Sequence, residues 1–433
     1  MTSRPETRQT LTVTDNRTGD TYEIPIVDGS IRGSDLGQIR TADSPGLMVF
    51  DPALRNTATC RSSITYQEAH QGILRHAGYS IEDLAEHSTY LEVAYLIFHR
   101  ELPDREQYAR WCADIADNYL VHRNLTRFLD GFRHDAHPMG ILISTVAALS
   151  TFYPEAKNLS VASERRRHAI RLIAQVPTLA AFAHRRMVGL RYAYPDVDLS
   201  YVGNFLNMMF KATELRYQPD PDVERALDVL FILHADHGQA CSATTMRCVG
   251  SAKTDPYSAA AAAAAALYGR FHDEGFHAVN DMFREIGTTD RIPAFLERVK
   301  RERSEPPGFG HRLYRTYDPR ARILRREAEK LVTRNNRRQL FDIAVALDEA
   351  ASKDDYFLEN NLFPIVDYYE TVMYEAMGFR TELFPVLFAI PRFVGWLAQW
   401  EEMITDPDQI TYRPRQIYSG ASPREYTPID QRD

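Results

Sequence analysis

The sequence predicts a mostly α-helical protein with a small β-rich segment at its N-terminus, and two observations carry this prediction. From about residue 60 onward, apolar residues recur with the period of an α-helix. Before that point, residues 10–27 (TLTVTDNRTGDTYEIPIV) alternate between apolar and polar on both sides of the turn-forming cluster DNRTGD. This pattern is typical of a β-hairpin, so we expect a hairpin attached to a helical body.

The composition is that of an ordinary globular protein, with 433 residues of which 44% are hydrophobic and 25% charged. Such a length corresponds to roughly two or three domains. The net charge of −8 argues against a nucleic-acid partner. The first residues contain no apolar segment, and no apolar run approaches the roughly 18 residues of a membrane span. We therefore expect a cytoplasmic protein without membrane contact, whose four cysteines, lacking any CxxC pair, are reduced thiols.

Capping residues mark the starts of three predicted helices. Thr89 is followed three residues later by Glu92, which is the spacing of a capping box. Asp220 stands before a proline, a residue favoured at the first helical position. Asp255 begins a third helix that contains the alanine run of residues 259–266.

Two histidines fall near the end of the helix that starts at Asp220. The apolar stripe of that helix, continued toward its C-terminus, reaches His234 and His237. We interpret His234 as a core histidine hydrogen-bonded among helices. For His237, a core role and a position in a pocket at the frayed end remain equally open.

Further polar groups lie in the C-terminal half of the chain. Gly308 and Gly310 bracket Phe309 directly before His311, and such glycines let a ligand approach the backbone. Asp367 lies among apolar residues, which would raise its pKa and suit it to act as a base. The alternative is that Asp367 caps a helix beginning at the next residue.

Three arginines, Arg320, Arg392 and Arg413, have the forked geometry that binds a carboxylate through two nitrogens. Taken singly, each is better explained by an ion pair at the surface or between domains. The carboxylate-binding interpretation depends on the other polar groups lying nearby.

Two functions of other classes stay open at this point. His-Asp pairs at 134–135 and 272–273 are typical of metal-dependent phosphohydrolases of the HD type. However, His272 and His277 lie five residues apart, on different helix faces, and do not reproduce HExxH geometry. A non-enzymatic helical scaffold also fits the periodicity, although inward histidines and an aspartate in apolar surroundings favour an enzyme. We expect no metal site.

The stretch PPGFGHRLYRTYDPR, residues 306–320, resembles citrate synthases of the bacterial type. The family pattern is Gly-aromatic-Gly-His, a short spacer and Asp-Pro-Arg, and this chain departs from it only at Leu313. The resemblance continues in order along nearly the whole chain. It includes TATCRSSITY, STYLEVAYLIFHRELP, GFRHDAHPM, PTLAAFAH, LSYVGNFLNMMF, ILHADH, FVGWLAQW and RPRQIYSG.

The resemblance implies a homodimer-based, two-domain helical fold of the citrate synthase type with a small N-terminal β-rich appendage. The predicted boundaries are 1–55 for the β-rich segment, 56–274 and 379–433 for the large domain, and 275–378 for a small domain that closes over the active site. The implied reaction is a Claisen condensation of acetyl-CoA with oxaloacetate or a close 2-oxo acid analogue, which gives citrate or a citrate-like product and CoA. The CoA thioester is then a substrate, and no cofactor is expected.

The resemblance also implies roles for individual residues. Asp367 would remove the methyl proton of the thioester, His272 would hydrogen-bond the enolate oxygen, and His311 would polarise and protonate the ketone. Four residues would bind the oxo acid: His237, Arg320, Arg392 and Arg413. Of these, Arg413 would come from the neighbouring subunit. Contacts to CoA fall to Pro307, Gly308, Phe309, Gly310 and Arg312.

The chain departs from the family pattern near these residues. Where the family has Gly-Pro, an apolar residue and His-Gly-Gly-Ala-Asn, this chain has Gly-Arg-Phe-His-Asp-Glu-Gly-Phe. Where Asn-Val-Asp-Phe-Tyr-Ser-Gly is usual, it has Ile-Val-Asp-Tyr-Tyr-Glu-Thr, so that Glu370 replaces a serine. Pro391 stands where a small residue is expected. The candidates for altered substrate choice are Arg270, Asp273, Glu274 and Phe388.

Ordinary citrate formation remains the first interpretation of these departures. One alternative is a specialised enzyme that uses another acyl-CoA, an alkylcitrate synthase. A second is an enzyme that uses phosphonopyruvate, a phosphonomethylmalate synthase. The changes cluster at the expected substrate pockets, and the expected catalytic positions are all occupied, which argues against an inactive relative.

Overall fold

The structure, a computed structural model, describes residues 9–42, 46–335 and 338–432, with the backbone alone at residues 270–273 and 334–335. The chain divides into two compact units, Met1–Ser62 and Ser63–Asp433. The division of the helical body into a large and a small domain, with the boundaries given above, stays a prediction.

The first unit contains an antiparallel hairpin of β1 (Thr10–Thr14) and β2 (Thr21–Pro25). In the turn between them, the Asp15 carboxylate accepts hydrogen bonds from the backbone N–H and the guanidinium of Arg17, both at 2.9 Å. This local bonding stabilises the turn. A short 3-10 helix, Gly33–Gln38, follows. The hairpin predicted from the alternating pattern is confirmed.

The second unit is mostly helical. Its strands are β3 (Thr65–Glu68), β4 (Ile73–His76) and β5 (Tyr79–Ser80). The α-helices in the described residues are α1 (Ile81–His87), α2 (Tyr90–His99), α3 (Arg105–Ala116), α4 (Arg123–Asp130), α5 (Pro138–Phe152), α6 (Ala162–Met187), α7 (Tyr201–Phe210), α8 (Pro221–His234), α9 (Cys241–Gly250), α10 (Pro256–Ala265), α11 (Arg270–Ile286), α12 (Ile292–Glu302), α13 (Pro319–Asn335), α14 (Arg338–Ala351), α15 (Asp355–Glu359), α16 (Val366–Met377) and α17 (Phe384–Thr405). Short 3-10 helices lie at Pro154–Lys157, Thr289–Arg291, Thr381–Leu383 and Ile429–Gln431.

The strands β3 to β5 differ from the sequence prediction, which expected helix from about residue 60. They form an antiparallel sheet in the order β3-β4-β5. The turns between them contain Gly72 and Gly78 at φ +64° and +95°, a conformation that glycine adopts without steric cost and that no helix interior contains. The helical period therefore begins only at α1.

The three predicted helix starts are confirmed. Thr89, Asp220 and Asp255 each accept a hydrogen bond from a backbone N–H in the first turn of the helix that follows. The capping box predicted at Thr89 is present in its first half, the bond from the Glu92 N–H to the Thr89 hydroxyl. In its second half, the Glu92 carboxylate accepts a hydrogen bond from the hydroxyl of Ser88. Caps are local features of the chain, which is why the sequence located them.

The core of the second unit forms around α17, which packs against α2, α6, α8, α9 and α10. By length and composition the segment Thr381–Thr405 is apolar enough to cross a membrane, but 83% of its apolar window is buried inside the protein, as in a core helix. The absence of membrane contact stays a prediction. Helices α8, α13 and α16 contact one another, and α17 contacts α8. The candidate site lies where these four helices meet.

Candidate active site

A short backbone pairing between residues 308–310 and 363–365 brings two candidate catalytic residues together. It consists of two N–H to carbonyl hydrogen bonds, of 3.0 and 2.9 Å. His311 directly follows the first segment, and Asp367 lies two residues after the second. These two residues, far apart in sequence, therefore stand on adjoining segments of backbone.

Two glycines permit this pairing. Gly308 and Gly310 have φ angles of +78° and +79°, which residues with a Cβ atom rarely adopt. A Cβ atom on Gly308 would lie 3.0 Å from the Tyr368 ring and 3.2 Å from Val279. Between the glycines, Phe309 is buried with its ring 5.0 Å from that of Tyr368. The loop before His311 is thus fixed by packing on both sides.

His311 is held as a neutral ring with a defined tautomer. Its Nδ1 atom accepts hydrogen bonds from the backbone N–H groups of Leu313 and Tyr314, both at 3.0 Å. An accepting Nδ1 leaves the proton on Nε2. Burial lowers the pKa of His311 to about 4, against the opposing charge of Asp318. The ring is therefore a neutral donor that can offer its Nε2 proton to a bound oxygen atom.

Asp367 lies in the first turn of α16, whose N-cap residue is Ile365. The alternative that Asp367 caps a helix starting at the next residue is wrong, because α16 has already begun at that point. Burial raises the pKa of Asp367 to about 7, against the opposing charge of Arg320. A carboxylate with this pKa is a better base near neutral pH than an exposed one.

His237 lies beyond the end of α8, next to His311 and Tyr314. Its ring centroid is 5.6 Å from that of His311, and its Nε2 atom is 3.4 Å from the Tyr314 hydroxyl. Burial, assisted by the charge of Arg320, lowers the pKa of His237 well below its usual value. Of the two roles left open by the sequence, the structure places His237 beside the other candidate residues.

Arg320 is held by its near neighbour Asp318. Its Nε and one terminal nitrogen donate to the two carboxylate oxygens at 3.1 and 2.8 Å, and both side chains are buried. Burial raises the pKa of Asp318, but the charge and hydrogen bonds of Arg320 outweigh it and hold that pKa below its usual value. The bidentate pair fixes the plane of the guanidinium.

Arg392 is buried on α17 and is held by His234 and Phe388. Its Nε atom donates a short hydrogen bond to the backbone carbonyl of His234. Its guanidinium lies over the ring of Phe388, 4.8 Å from the centroid. Burial lowers the pKa of Arg392 to about 10, so the group is still charged at neutral pH. Phe388, a predicted specificity residue, thus lies directly beside a candidate substrate-binding arginine.

Glu370 departs from the family pattern, and the sequence indicated no role for it. The structure places its Oε1 atom 3.1 Å from Nε2 of His234, with both side chains fully buried. His234 is thus buried in the core, as interpreted, but the expected hydrogen bonds are absent from its two ring nitrogens in the described part of the chain, and Nε2 lies against a carboxyl group instead. Nothing in the local sequence around either residue signals this contact, since the two belong to different helices.

A second polar network that the sequence did not indicate lies beside His237. The Thr65 hydroxyl donates to the Asp236 carboxylate at 2.6 Å, so its oxygen accepts from Nδ1–H of His76 at 2.9 Å. Asp236 also accepts from the backbone N–H of Gly238 at 2.8 Å. These bonds fix the backbone on both sides of His237. Two of the members come from β3 and β4, the strands that the helical period had concealed.

Replacing Thr65 with Val should destabilise the protein by about 1–3 kcal/mol, because Asp236 and His76 are left buried without the hydroxyl that joins them. The two side chains have the same shape, so packing is retained. Urea unfolding measures the change. Thr151→Val is the matched control, since the Thr151 hydroxyl is exposed and bonds only within its own helix, and it should change stability by less than about 0.5 kcal/mol. Equal effects of the two substitutions would contradict this prediction.

Other predicted residues are placed as follows. The side chains of Arg270, His272 and Asp273 lie outside the described residues, and only their backbone, in the first turn of α11, is described. Three residues are exposed and a fourth is partly exposed: Glu274, Arg312, Arg413 and Pro307. The predicted roles of all these residues stay predictions.

Within the described residues, no three side chains of His, Cys, Asp or Glu come together as a metal site. Of the two His-Asp pairs that suggested an HD-type phosphohydrolase, the one at 134–135 is exposed. Its aspartate, Asp135, accepts hydrogen bonds from the guanidinium of Arg133 at 2.9 and 2.6 Å.

This chain is similar to several known proteins. Residues 53–415 match the family described as citrate synthase, C-terminal domain. The peroxisomal citrate synthase of Dictyostelium discoideum is 45% identical over 99% of this chain and 89% of its own length. The glyoxysomal citrate synthase of Cucurbita maxima is 43% identical over 100% of this chain and 86% of its own length. A citrate synthase from Thermoplasma acidophilum, solved as a ternary complex with carboxymethyl coenzyme A and oxaloacetate, superposes with a TM-score of 0.80 at 27% identity, covering 88% of this chain and 98% of that one.

The expected cytoplasmic location is contradicted by these relatives, two of which are named for the peroxisome and the glyoxysome. The expectation rested on the lack of an apolar N-terminal segment, which speaks only to the secretory route. Peroxisomal addresses are read by receptors and contain no apolar segment, so composition does not reveal them.

The comparisons favour neither the HD-type phosphohydrolase nor the alkylcitrate and phosphonomethylmalate synthases. The mostly α-helical fold with its N-terminal hairpin is confirmed by the structure and by its likeness to a solved citrate synthase. Because the family match spans most of the chain and the relatives align over nearly all of it, this chain belongs to the citrate synthase family.

Proposed function

We propose that this protein condenses acetyl-CoA with oxaloacetate to give citrate and CoA. The observation that supports the proposal most is a grouping of residues from segments far apart in sequence. His237 contacts neutral His311 and lies near the buried Arg320 and Arg392, and Arg320 in turn lies near partly buried Asp367. Two arginines and a neutral histidine suit the two carboxylates and the ketone of the oxo acid.

The first chemical step is removal of a methyl proton from the thioester by Asp367. Such a proton is too weakly acidic for an ordinary carboxylate, and the raised pKa of Asp367 brings base and acid closer together. The developing enolate oxygen needs a preorganised donor, a role that we assign to His272 on the family resemblance. The enolate carbon then attacks the ketone of oxaloacetate.

His311 serves the second half of the reaction. Because its Nδ1 atom is occupied by two backbone N–H groups, its Nε2 proton is the one available to the ketone oxygen. As the new carbon–carbon bond forms, that oxygen gains negative charge and takes the proton. Hydrolysis of the citryl thioester by water then releases CoA and citrate.

We assign binding of the oxo acid to His237, Arg320 and Arg392, and propose that a second copy of the chain supplies Arg413, which is exposed here. The CoA nucleotide would lie along residues 307–312. Closure of a small domain over the thioester would exclude water during condensation. The CoA thioester is a substrate, and no further cofactor or metal takes part in the proposal.

A thiol-release assay on the purified protein tests the proposal. We expect CoA release from acetyl-CoA to require oxaloacetate, and citrate to be identified as the product by mass spectrometry. Parallel reactions with propionyl-CoA and with phosphonopyruvate should be slower by about tenfold or more, the discrimination expected of a fitted pocket. CoA release without any oxo acid, or faster release with phosphonopyruvate, would contradict the proposal.

A further inference from the structure

Glu370 lies one turn after Asp367 on α16 and is fully buried. Its Oε1 atom is 3.1 Å from Nε2 of His234, which is also fully buried. The hydroxyl of Tyr374, one turn further along the helix, also faces it. Burial of an ionised carboxylate without a compensating partner is strongly unfavourable, so a carboxyl group in this place requires an explanation.

His234 connects Glu370 to Arg392. The His234 ring contacts Glu370 on one side and the ring of Phe388 on another, with centroids 4.5 Å apart. The backbone carbonyl of His234 accepts the Nε–H of Arg392, and the Arg392 guanidinium lies 4.8 Å from the Phe388 centroid. His234, Phe388 and Arg392 thus contact one another, and Glu370 contacts His234; we call these four residues the Glu370 cluster.

Charged and titratable groups face Glu370 from four helices, α8, α13, α16 and α17: His234, Arg320, Asp367, Tyr374 and Arg392. Burial raises the pKa of Glu370 to about 8, although the Tyr374 hydroxyl and the two arginines lower it. Burial also lowers the pKa of His234 well below its usual value. At neutral pH the carboxyl group therefore carries a proton, and it lies in contact with a neutral His234 ring, 3.1 Å from Nε2.

We propose that Glu370 is a positioning residue for the oxo acid, which in its uncharged form holds His234 and, through His234, the guanidinium of Arg392. The inference rests on the proposed function, because it takes Arg392 as a ligand of the oxo acid. An ionised Glu370 would attract Arg320 and Arg392 and would repel an incoming dianion. The serine of the family pattern has no such charge, so this dependence is a property of the present chain.

Calorimetric titration of the purified full-length protein with oxaloacetate alone tests the proposal. In the wild type, Kd should weaken by about fivefold or more between about pH 7 and about pH 9, as a carboxyl with a pKa of about 8 ionises. Binding near pH 8 should also take up protons, which makes the measured heat depend on the buffer. Glu370→Gln keeps the size of the side chain and a donor toward His234 but cannot ionise. In that variant Asp367 still ionises in this range, so the weakening should fall to less than half of that in the wild type rather than disappear, and proton uptake should decrease.

Glu375→Gln is the matched control, because Glu375 lies on the same helix in a partly exposed ion pair with Arg284. It should retain the pH dependence of the wild type. Glu370→Ser, the residue of the family pattern, supplies a second non-ionisable variant if the glutamine is poorly tolerated. Equal pH dependence of Kd in the wild type and in either Glu370 variant would overturn the proposal.

The proposed function fails on a different result, which is the lack of CoA release from acetyl-CoA and oxaloacetate by the wild type. Binding of oxaloacetate does not require condensation, so the calorimetric result can be interpreted whether or not the wild type releases CoA. CoA release together with an unchanged pH dependence in Glu370→Gln overturns the role of Glu370 alone. Failure of the wild type to bind oxaloacetate at both pH values overturns both.

Discussion

Replacing Asp367 with Asn should lower kcat for CoA release by about 10³-fold, within the range typical of a lost general base. Asparagine fills the same volume on α16, so the backbone pairing that positions His311 is retained, while the proton acceptor is lost. KM for oxaloacetate should change by less than about threefold, because the proposed binding groups lie on other helices. Steady-state kinetics with both substrates measures these values.

The same substitution should stabilise the protein at alkaline pH. Burial raises the pKa of Asp367 from 3.8 to about 7, so between these values the folded protein holds a proton that the unfolded chain has lost. Stability therefore falls as pH rises through this window and stays lower above it. Because asparagine cannot ionise, the substitution removes this loss of folding stability, which is on the order of a few kcal/mol. The melting temperature of Asp367→Asn should exceed that of the wild type clearly at about pH 8 and only slightly at about pH 5.

Measuring both kcat and the melting temperature of Asp367→Asn distinguishes a catalytic role of Asp367 from a structural one. Asp281→Asn, on the exposed side of α11, is the control and should change neither kcat nor the pH dependence of stability. Near-normal turnover by Asp367→Asn would show that another group removes the proton. Loss of turnover with a lower melting temperature at both pH values would show that Asp367 supports the fold rather than the reaction.

The sequence predicted those parts of the fold that depend on interactions between residues close together in the chain. The caps at Thr89, Asp220 and Asp255 follow from bonds within a few residues, and the N-terminal hairpin follows from alternation around one turn. The sheet at residues 65–80 was mistaken for helix because its strands are too short to show a period of two. Its two turns contain Gly72 and Gly78, and a single glycine is a weak turn signal.

In the candidate site, the contacts between residues far apart in sequence were not predicted. Residues such as His311 and Arg392 received their roles from the family resemblance, whereas the groups that hold them in place come from contacts between distant parts of the chain. Asp236 accepts a hydrogen bond from a strand residue, and Glu370 contacts a histidine of another helix. No periodicity or spacing connects such pairs, because a buried polar contact between two elements depends on how those elements pack.

The close approach of α17 to the segment before His237 leads to the second large prediction. The N–H of Gly395 donates to the carbonyl of Ala235 at 3.1 Å. A Cβ atom at Gly395 would lie 2.4 Å from that carbonyl oxygen and 2.6 Å from Oδ1 of Asp236. A backbone oxygen cannot turn aside as a flexible side chain can, so Gly395→Ala must separate α17 from residues 235–237.

That separation should affect both stability and binding of the oxo acid. Overpacking a rigid contact of this kind costs about 1–3 kcal/mol, measurable by urea unfolding. It would also move Arg392, one turn earlier on α17, relative to His237, and a displacement of about 1 Å at a binding group can reduce kcat/KM by about 10²-fold. We therefore expect KM for oxaloacetate to rise by about tenfold or more.

Gly140→Ala is the matched control for this prediction. Gly140 also lies inside a helix, but its added Cβ atom would meet the Tyr268 ring at 3.6 Å, an ordinary contact. That substitution should stabilise the protein by about 0.5–1 kcal/mol, the helix preference of alanine over glycine, and leave KM unchanged. If Gly395→Ala lowered stability but kept the wild-type KM for oxaloacetate, then His237 and Arg392 would not act on the same bound molecule. The assignment of the oxo-acid site to the junction of α8 and α17 would then be wrong, even if CoA release were confirmed.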